Sequence, residues 1–285
     1  MAKKIINSTQ GIEVYRFLKK KNEIEFKKVK ESLDDFYRMY NVSFDANEGI
    51  LNTLRVYLGS RLNEIILNSD NQSLIKRSLN FVSNQILRKN KLDISSRVSA
   101  IQNVFENEQS NQDLLNYYVE ENARLIKGVE GDKVEKMKTI ILNSIQSGQN
   151  KSLITKALRG LVDRSNNRYK FIVRDQSAKL YSSITEVRAK TNNWDFYVWE
   201  DSNDVKVRSL SNTNGYQSHK MLDGKIYRFS EKARDVFKGK GAQFHNPGMN
   251  YGCRCTARVL FDPPEAFKRN SDGSYSYKKE YKRTA

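Results

Sequence analysis

The chain contains two histidines and two cysteines, and all four, His219, His245, Cys253 and Cys255, fall in its last quarter. Two imidazoles and two thiolates are the donor set of a closed, tetrahedral zinc site, which leaves no position for water and is therefore structural. Cys-Arg-Cys brings both sulfurs near one point where a strand bends, whereas a disulfide across so small a ring would be strained. The spacing departs from common zinc fingers, because the histidines are far apart in sequence and a single arginine, Arg254, separates the cysteines. Composition thus leaves two readings, a zinc clip or free thiols beside ordinary hydrogen-bonded histidines.

Enzyme chemistry fits less well. No histidine or cysteine precedes His219, so neither residue type can act upstream of it. A zinc deaminase needs His-x-Glu and Pro-Cys-x-x-Cys; here His219 is followed by Lys220 and Met221, and Cys253 and Cys255 are too close together. Cys253 could pair with His245 as a nucleophile, but a strand lacks the helix N-terminus that usually lowers a catalytic thiol pKa. There is no phosphate loop and no Gly-x-Ser-x-Gly. The chain reads as a non-enzyme.

The elements that must position these four residues divide the sequence sharply. No proline occurs before Pro247, so little interrupts helices from the start of the chain to Lys190. Tyr15, Leu18, Asn22, Phe26, Val29, Leu33, Phe36 and Tyr40 recur at helical spacing, with Asn22 the polar member of the stripe. The stripe reads as a core face in preference to a coiled-coil arm registered by Asn22. Asp45 precedes a second helix through Ile50, Leu54, Leu58, Leu62 and Ile65. Leu74, Leu79, Val82 and Ile86 mark a third. Leu114, Tyr118 and Leu125 mark a fourth, and Val134, Met137, Ile141 and Ile145 a fifth that ends before Gly148. A short helix follows from Ser152, and a long one is expected to start at a Ser165 cap and carry Tyr169, Ile172, Val173, Leu180, Ile184 and Val187. The pair Asp34-Asp35 reads as a solvated, charge-balanced face.

Past that point the period changes. Trp194–Trp199, Lys225–Phe229 and Arg254–Phe261 read as strands around a polar loop at 201–224. Ser271-Asp-Gly-Ser274 between Phe267 and Tyr275 suggests a terminal hairpin, with a mobile basic tail as the other reading. The expected fold class is α+β: a long, mostly helical N-terminal region, then a small C-terminal α+β module with a few short antiparallel strands and a zinc clip.

Fifty basic side chains face 33 acidic ones in 285 residues, a net charge of +17. The part of the chain after Asn150 carries +13 of it, with 27 basic and 14 acidic groups. Such an excess attracts polyanions through counterion release, although a Lys- and Asn-rich composition also follows from AT-rich coding. Toward the C-terminus Lys268, Arg269, Lys278, Lys279, Lys282 and Arg283 are the candidate nucleic-acid contacts. No apolar run approaches the roughly 18 residues of a membrane span, and the start, with only Ile5 and Ile6 after its lysines, lacks a signal-peptide pattern. No membrane partner is expected.

Six elements in order resemble one family. Arg174-Asp-Gln-Ser-Ala-Lys-Leu180 comes first, then Trp199, then Asp204 with Val207-Arg208. His219 with Leu222-Asp-Gly-Lys225 follows, then His245-Asn-Pro-Gly248 and Cys253-Arg-Cys255. This order is similar to that of phage Mu F-like minor head proteins, also called head morphogenesis proteins. Two features depart from the family pattern: residues 209–218 lengthen the loop before His219, and Asn246 separates His245 from Pro247. The resemblance does not reach residues 1–160.

It implies a minor structural protein of a tailed-phage head, in the head interior near the portal vertex and in the host cytoplasm during assembly. The implied partners are the portal protein, packaged double-stranded DNA bound without sequence preference, and other head or scaffolding proteins. The implied role is head assembly and DNA retention or delivery. Zinc held by His219, His245, Cys253 and Cys255 is the implied cofactor. The alternatives are a capsid-carried nuclease or effector enzyme and a basic DNA-binding packaging factor. The expected division is a helical region over 1–163, the head morphogenesis module over 164–267, and a basic tail or hairpin over 268–285.

Overall fold

A computed structural model of the chain describes residues 9–40, 48–97, 109–147, 149–202, 219–237 and 241–281. Asp45, Asp204, Val207, Arg208, the loop 209–218, Lys282 and Arg283, all singled out by sequence, lie outside the described residues. Five long helices come first: α1 Thr9–Tyr40, α2 Glu48–Ile66, α3 Ser69–Ser95, α4 Gln109–Gln146 and α5 Lys151–Thr191. Strand β1, Phe196–Glu200, precedes the one-turn helix α6, His219–Leu222. The strands β2 Ile226–Arg228, β3 Ala233–Phe237, β4 Gly241–His245, β5 Thr256–Val259, β6 Phe267–Arg269 and β7 Tyr275–Tyr277 follow. Among the described residues no helix is long and apolar enough to cross a membrane.

The chain forms two compact units, one of residues 9–82 and 119–173, the other of residues 83–118 and 174 onward. Among its described residues the first has helices as its regular elements. Its core takes Leu33 and Phe36 from α1, Leu54, Leu58 and Leu62 from α2, Met137 and Ile141 from α4, and Leu158 and Val162 from α5. The α1 stripe is a core face, as its period predicts. Asn22 lies within it at 1% exposure, giving its amide N–H to the Val162 carbonyl (3.2 Å) and the Asn166 side chain (2.9 Å). Beside Asn22 sits a buried ionic cluster. Lys21 pairs with Glu25 and Glu130, Lys133 pairs with Glu25 at 2.7 Å, and Gln72 donates to Glu130 at 3.1 Å. Asp34 and Asp35 do carry surface ion pairs, with Lys151 and Arg38.

Three expectations for the helices need correction. The segments around Tyr118 and Ile141 are one helix, α4, not two. Likewise α5 runs without a break from Lys151 through Ser165, which is no cap. Its hydroxyl donates instead to the Leu161 carbonyl one turn back (3.0 Å), a bond that lets serine sit inside a helix. The buried face of α4 is set by Leu115, Tyr118, Val119 and Ile126, with Leu114 and Leu125 only half-buried, and Leu74 on α3 is exposed.

The second unit contains a five-stranded antiparallel sheet in the order β5-β1-β2-β7-β6, and a separate two-stranded ribbon of β3 and β4. The interior strand β1 is apolar and buried from Phe196 through Trp199, because both of its faces are covered there. Phe196 and Val198 pack with Leu260, Ala266 and Phe267 on one face. Tyr197 and Trp199 pack with Leu222, Tyr227, Phe229, Cys253 and Cys255 on the other. The terminal hairpin is present as β6–β7, turning at Gly273 with φ of 81°, and β7 extends the sheet through Ile226↔Tyr275. The ribbon β3–β4 is an addition to the expected strands. Its sequence lacks strict alternation, and Lys238-Gly-Lys-Gly241 is the turn signal that could have marked it.

Candidate metal centre

His219 opens α6, and three backbone contacts fix that turn against the end of β1. Trp199 N–H donates to the Lys225 carbonyl (2.9 Å), Gly224 N–H donates to the Trp199 carbonyl (2.9 Å), and Asp201 N–H donates to the Asp223 carboxylate (2.8 Å). Gly224 lies at φ of 73°, a left-handed position that suits glycine. The Leu222-Asp-Gly-Lys225 sequence is thus a turn that holds His219 beside β1.

The cysteines arrive on the loop 246–255, which is clamped along one face of α5. Gly252 N–H donates to Asp175 Oδ1 at 2.6 Å, and Lys179 pairs with the other oxygen of that carboxylate at 2.7 Å. Ser182 donates its hydroxyl to the Pro247 carbonyl. Asn246 donates to Glu186 at 2.8 Å and accepts from the Tyr197 hydroxyl at 3.2 Å. Asp175, Lys179, Ser182 and Glu186 recur at helical spacing on one stripe. The Arg-Asp-Gln-Ser-Ala-Lys segment is therefore a docking face for the cysteine loop. Asn246, which interrupts the expected His-Pro-Gly, is itself a buried anchor, and only its placement in three dimensions reveals that.

Gly248 has φ of 83°, and a Cβ there would lie 3.2 Å from both the Ala178 carbonyl and Ser182 Cβ, and 3.3 Å from the Cys255 carbonyl. Its N–H donates to the Cys253 sulfur at 3.4 Å. Gly248→Ala is expected to cost about 1–3 kcal/mol, from left-handed strain alone. Urea titration followed by circular dichroism checks this, and a variant as stable as the parent would refute the close packing.

His219, Cys253 and Cys255 come together, with their donor atoms all within 4.8 Å of one another and all three side chains buried. His219 Nδ1 is 3.5 Å from each sulfur, and both thiols are free of disulfide. Zinc bonds of about 2.3 Å to sulfur and 2.0–2.1 Å to nitrogen place neighbouring donors roughly 3.5–3.8 Å apart, so the group fits the ion. The Cys255 thiol, and after it His219, hold Cys253 well below the usual thiol range, while Cys253 holds Cys255 above it. Two buried sulfurs beside an imidazole nitrogen are a donor set that a divalent cation could take up with release of thiol protons.

His245 stands next to this group but not within it. Its ring centroid is 5.5 Å from that of His219, where two imidazoles on one zinc sit roughly 5 Å apart. Its Nδ1 faces the Asn246 carbonyl (3.3 Å) and its Nε2 the Asn250 side-chain amide (3.4 Å). Of the candidate nucleic-acid contacts, Lys268, Arg269 and Lys279 are exposed and Lys278 is half-buried, with Arg269 3.5 Å from Glu231.

A helix-clamped loop that delivers two cysteines to a histidine beside an antiparallel sheet defines a small module whose donors could hold a metal ion. Residues 135–258, from α4 into β5, match the family described as Phage Mu protein F like protein. A protein of Haemophilus influenzae (strain ATCC 51907 / DSM 11121 / KW20 / Rd), described as uncharacterized, is 24% identical over 190 residues. That alignment covers 67% of this chain and 37% of the relative, so the chain spans little more than a third of that relative's length. No solved structure matches the chain.

Proposed function

We propose that this chain is a minor structural protein of a tailed-phage head, acting in head morphogenesis at the portal vertex. The observation that carries the reading is the family match over residues 135–258, which spans the α5 docking face, His219 and both cysteines. The motif side chains support it, because Asp175, Ser182, Asp223 and Gly248 are spent on holding the cysteine loop and the His219 turn. Zinc bound by His219, Cys253 and Cys255, with His245 as the proposed fourth ligand, would clip a sheet whose strands are only three to five residues long. Zinc there supplies cross-linking and no reaction step.

The portal protein and packaged DNA are the proposed partners, with other head or scaffolding proteins during assembly. Pull-down with the portal protein tests the reading. Retention that resists raised salt supports a protein interface, and loss of all retention overturns the portal assignment. Incubation with DNA and RNA, with and without divalent metal, is expected to give binding without cleavage; turnover would favour the nuclease alternative. The double variant Lys268→Glu, Lys279→Glu is expected to weaken DNA binding equally across sequences. It should also flatten the log K against log salt slope by ~0.9 for each phosphate left unneutralised, readable by fluorescence anisotropy. An unchanged slope would remove β6 and the segment after β7 from the DNA-facing surface.

A further inference from the structure

Trp199 lies in the middle of the metal centre's wall and is 0% exposed. Its indole N–H has no hydrogen-bond partner among the described residues. A buried indole N–H usually finds an acceptor, and leaving one without costs free energy. The register shows what it faces. Trp199 pairs with Ala257 across β1 and β5, so Cys255, two residues before Ala257, occupies the diagonal position on the same face. The Trp199 and His219 rings meet edge to face at 5.3 Å, which places the indole against the donor group.

We propose that Trp199 is a positioning residue of the metal centre, donating its indole N–H to the Cys255 sulfur once that sulfur is a metal-bound thiolate. The proposal rests on the zinc reading above. A thiol is a weak acceptor, whereas a thiolate is a charged one and forms a stronger N–H···S bond. Metal binding removes the thiol proton, so the same event that ligates Cys255 gives the orphaned donor its partner. Cys253 has the equivalent donor in Gly248 N–H, so each sulfur would then carry one N–H, one from the clamped loop and one from the sheet. Outer donors of this kind fix a ligand's direction and tune its affinity without touching the ion.

Trp199→Phe keeps an aromatic ring in the wall and deletes only the donor. Zinc affinity, measured by competition with a chromophoric chelator, is expected to fall about 10–100-fold. The sulfur-to-cobalt charge-transfer band of the Co(II)-substituted variant should shift as well. Trp194→Phe, which removes the only other indole, is expected to leave both readouts unchanged.

A second measurement does not depend on the variant folding. In wild-type protein loaded with 113Cd, the Trp199 indole proton should move downfield on metal addition and show coupling to cadmium through sulfur. An affinity within twofold of wild type and an unmoved indole resonance would overturn the proposal while leaving the zinc site standing. Wild-type protein that takes up no metal would overturn both.

Discussion

Lys133→Met is expected to destabilise the helical unit by about 3–5 kcal/mol, the cost of removing one partner from a buried ionic cluster. Lys133 is 1% exposed, and its ammonium gives hydrogen bonds of 2.7 Å to Glu25 and 2.7 Å to Asn22. Lys21 bridges Glu25 and Glu130, so two lysines balance two carboxylates among residues at most 8% exposed. Desolvation by burial already pushes Glu130 up and Lys133 down, so each charge is held there by its neighbours. Without Lys133, one ammonium is left to serve two buried carboxylates, and Asn22 loses a donor. Adding Glu25→Gln to Lys133→Met removes the uncompensated charge and should recover part of the loss. Denaturant melts followed by circular dichroism read the effect. A loss below about 1 kcal/mol for the single variant would mean that water reaches the cluster.

The same cluster shows where sequence reasoning ran out. The α1 period announces a core face, and Asn22 stands out as its polar member, but its partners Lys133 and Asn166 lie far along the chain on other helices. Lys21, Glu25, Glu130 and Lys133 read individually as surface charges, because charged residues are almost never fully buried unless paired. Pairing across helices leaves no mark in a local pattern. The helix ends failed for a related reason. Ser165 has the composition of a cap, and only the bond to Leu161 shows that its side chain is needed inside the turn.

The candidate metal site was more legible, because histidine and cysteine are rare here and their confinement to residues 219–255 needs no contact map. Three of the four named residues converge, and the fourth, His245, stands beside them. Sequence could not supply the partners of the motif residues around them. Asp175 and Gly252 are 77 positions apart, yet one hydrogen bond joins them. Trp199 reads as a strand aromatic, which it is, and its unpartnered N–H exists only in three dimensions.

Metal removal is the other large effect expected. Purified protein should carry about one equivalent of zinc, and chelation should lower the stability of the sheet-bearing unit by roughly 4 kcal/mol if free zinc had stood near a thousand times its dissociation constant. The strands explain the size: β2, β6 and β7 have three residues each, and the loop 246–255 has little regular backbone pairing of its own. Its cysteines hold that loop to the His219 turn only if something bridges them. Cys253→Ser, Cys255→Ser and His219→Ala should each reduce bound zinc below about 0.2 equivalents, and chelator should then no longer shift their melting. His245→Ala separates two geometries. Loss of stoichiometric zinc would make it the fourth ligand. Retention with only a modest fall in affinity would make it a neighbour that orders Asn250, with the fourth position filled from elsewhere. Less than about 0.2 equivalents of zinc in the parent, with melting unmoved by chelator, would leave the buried thiols as ordinary core residues and refute the clip.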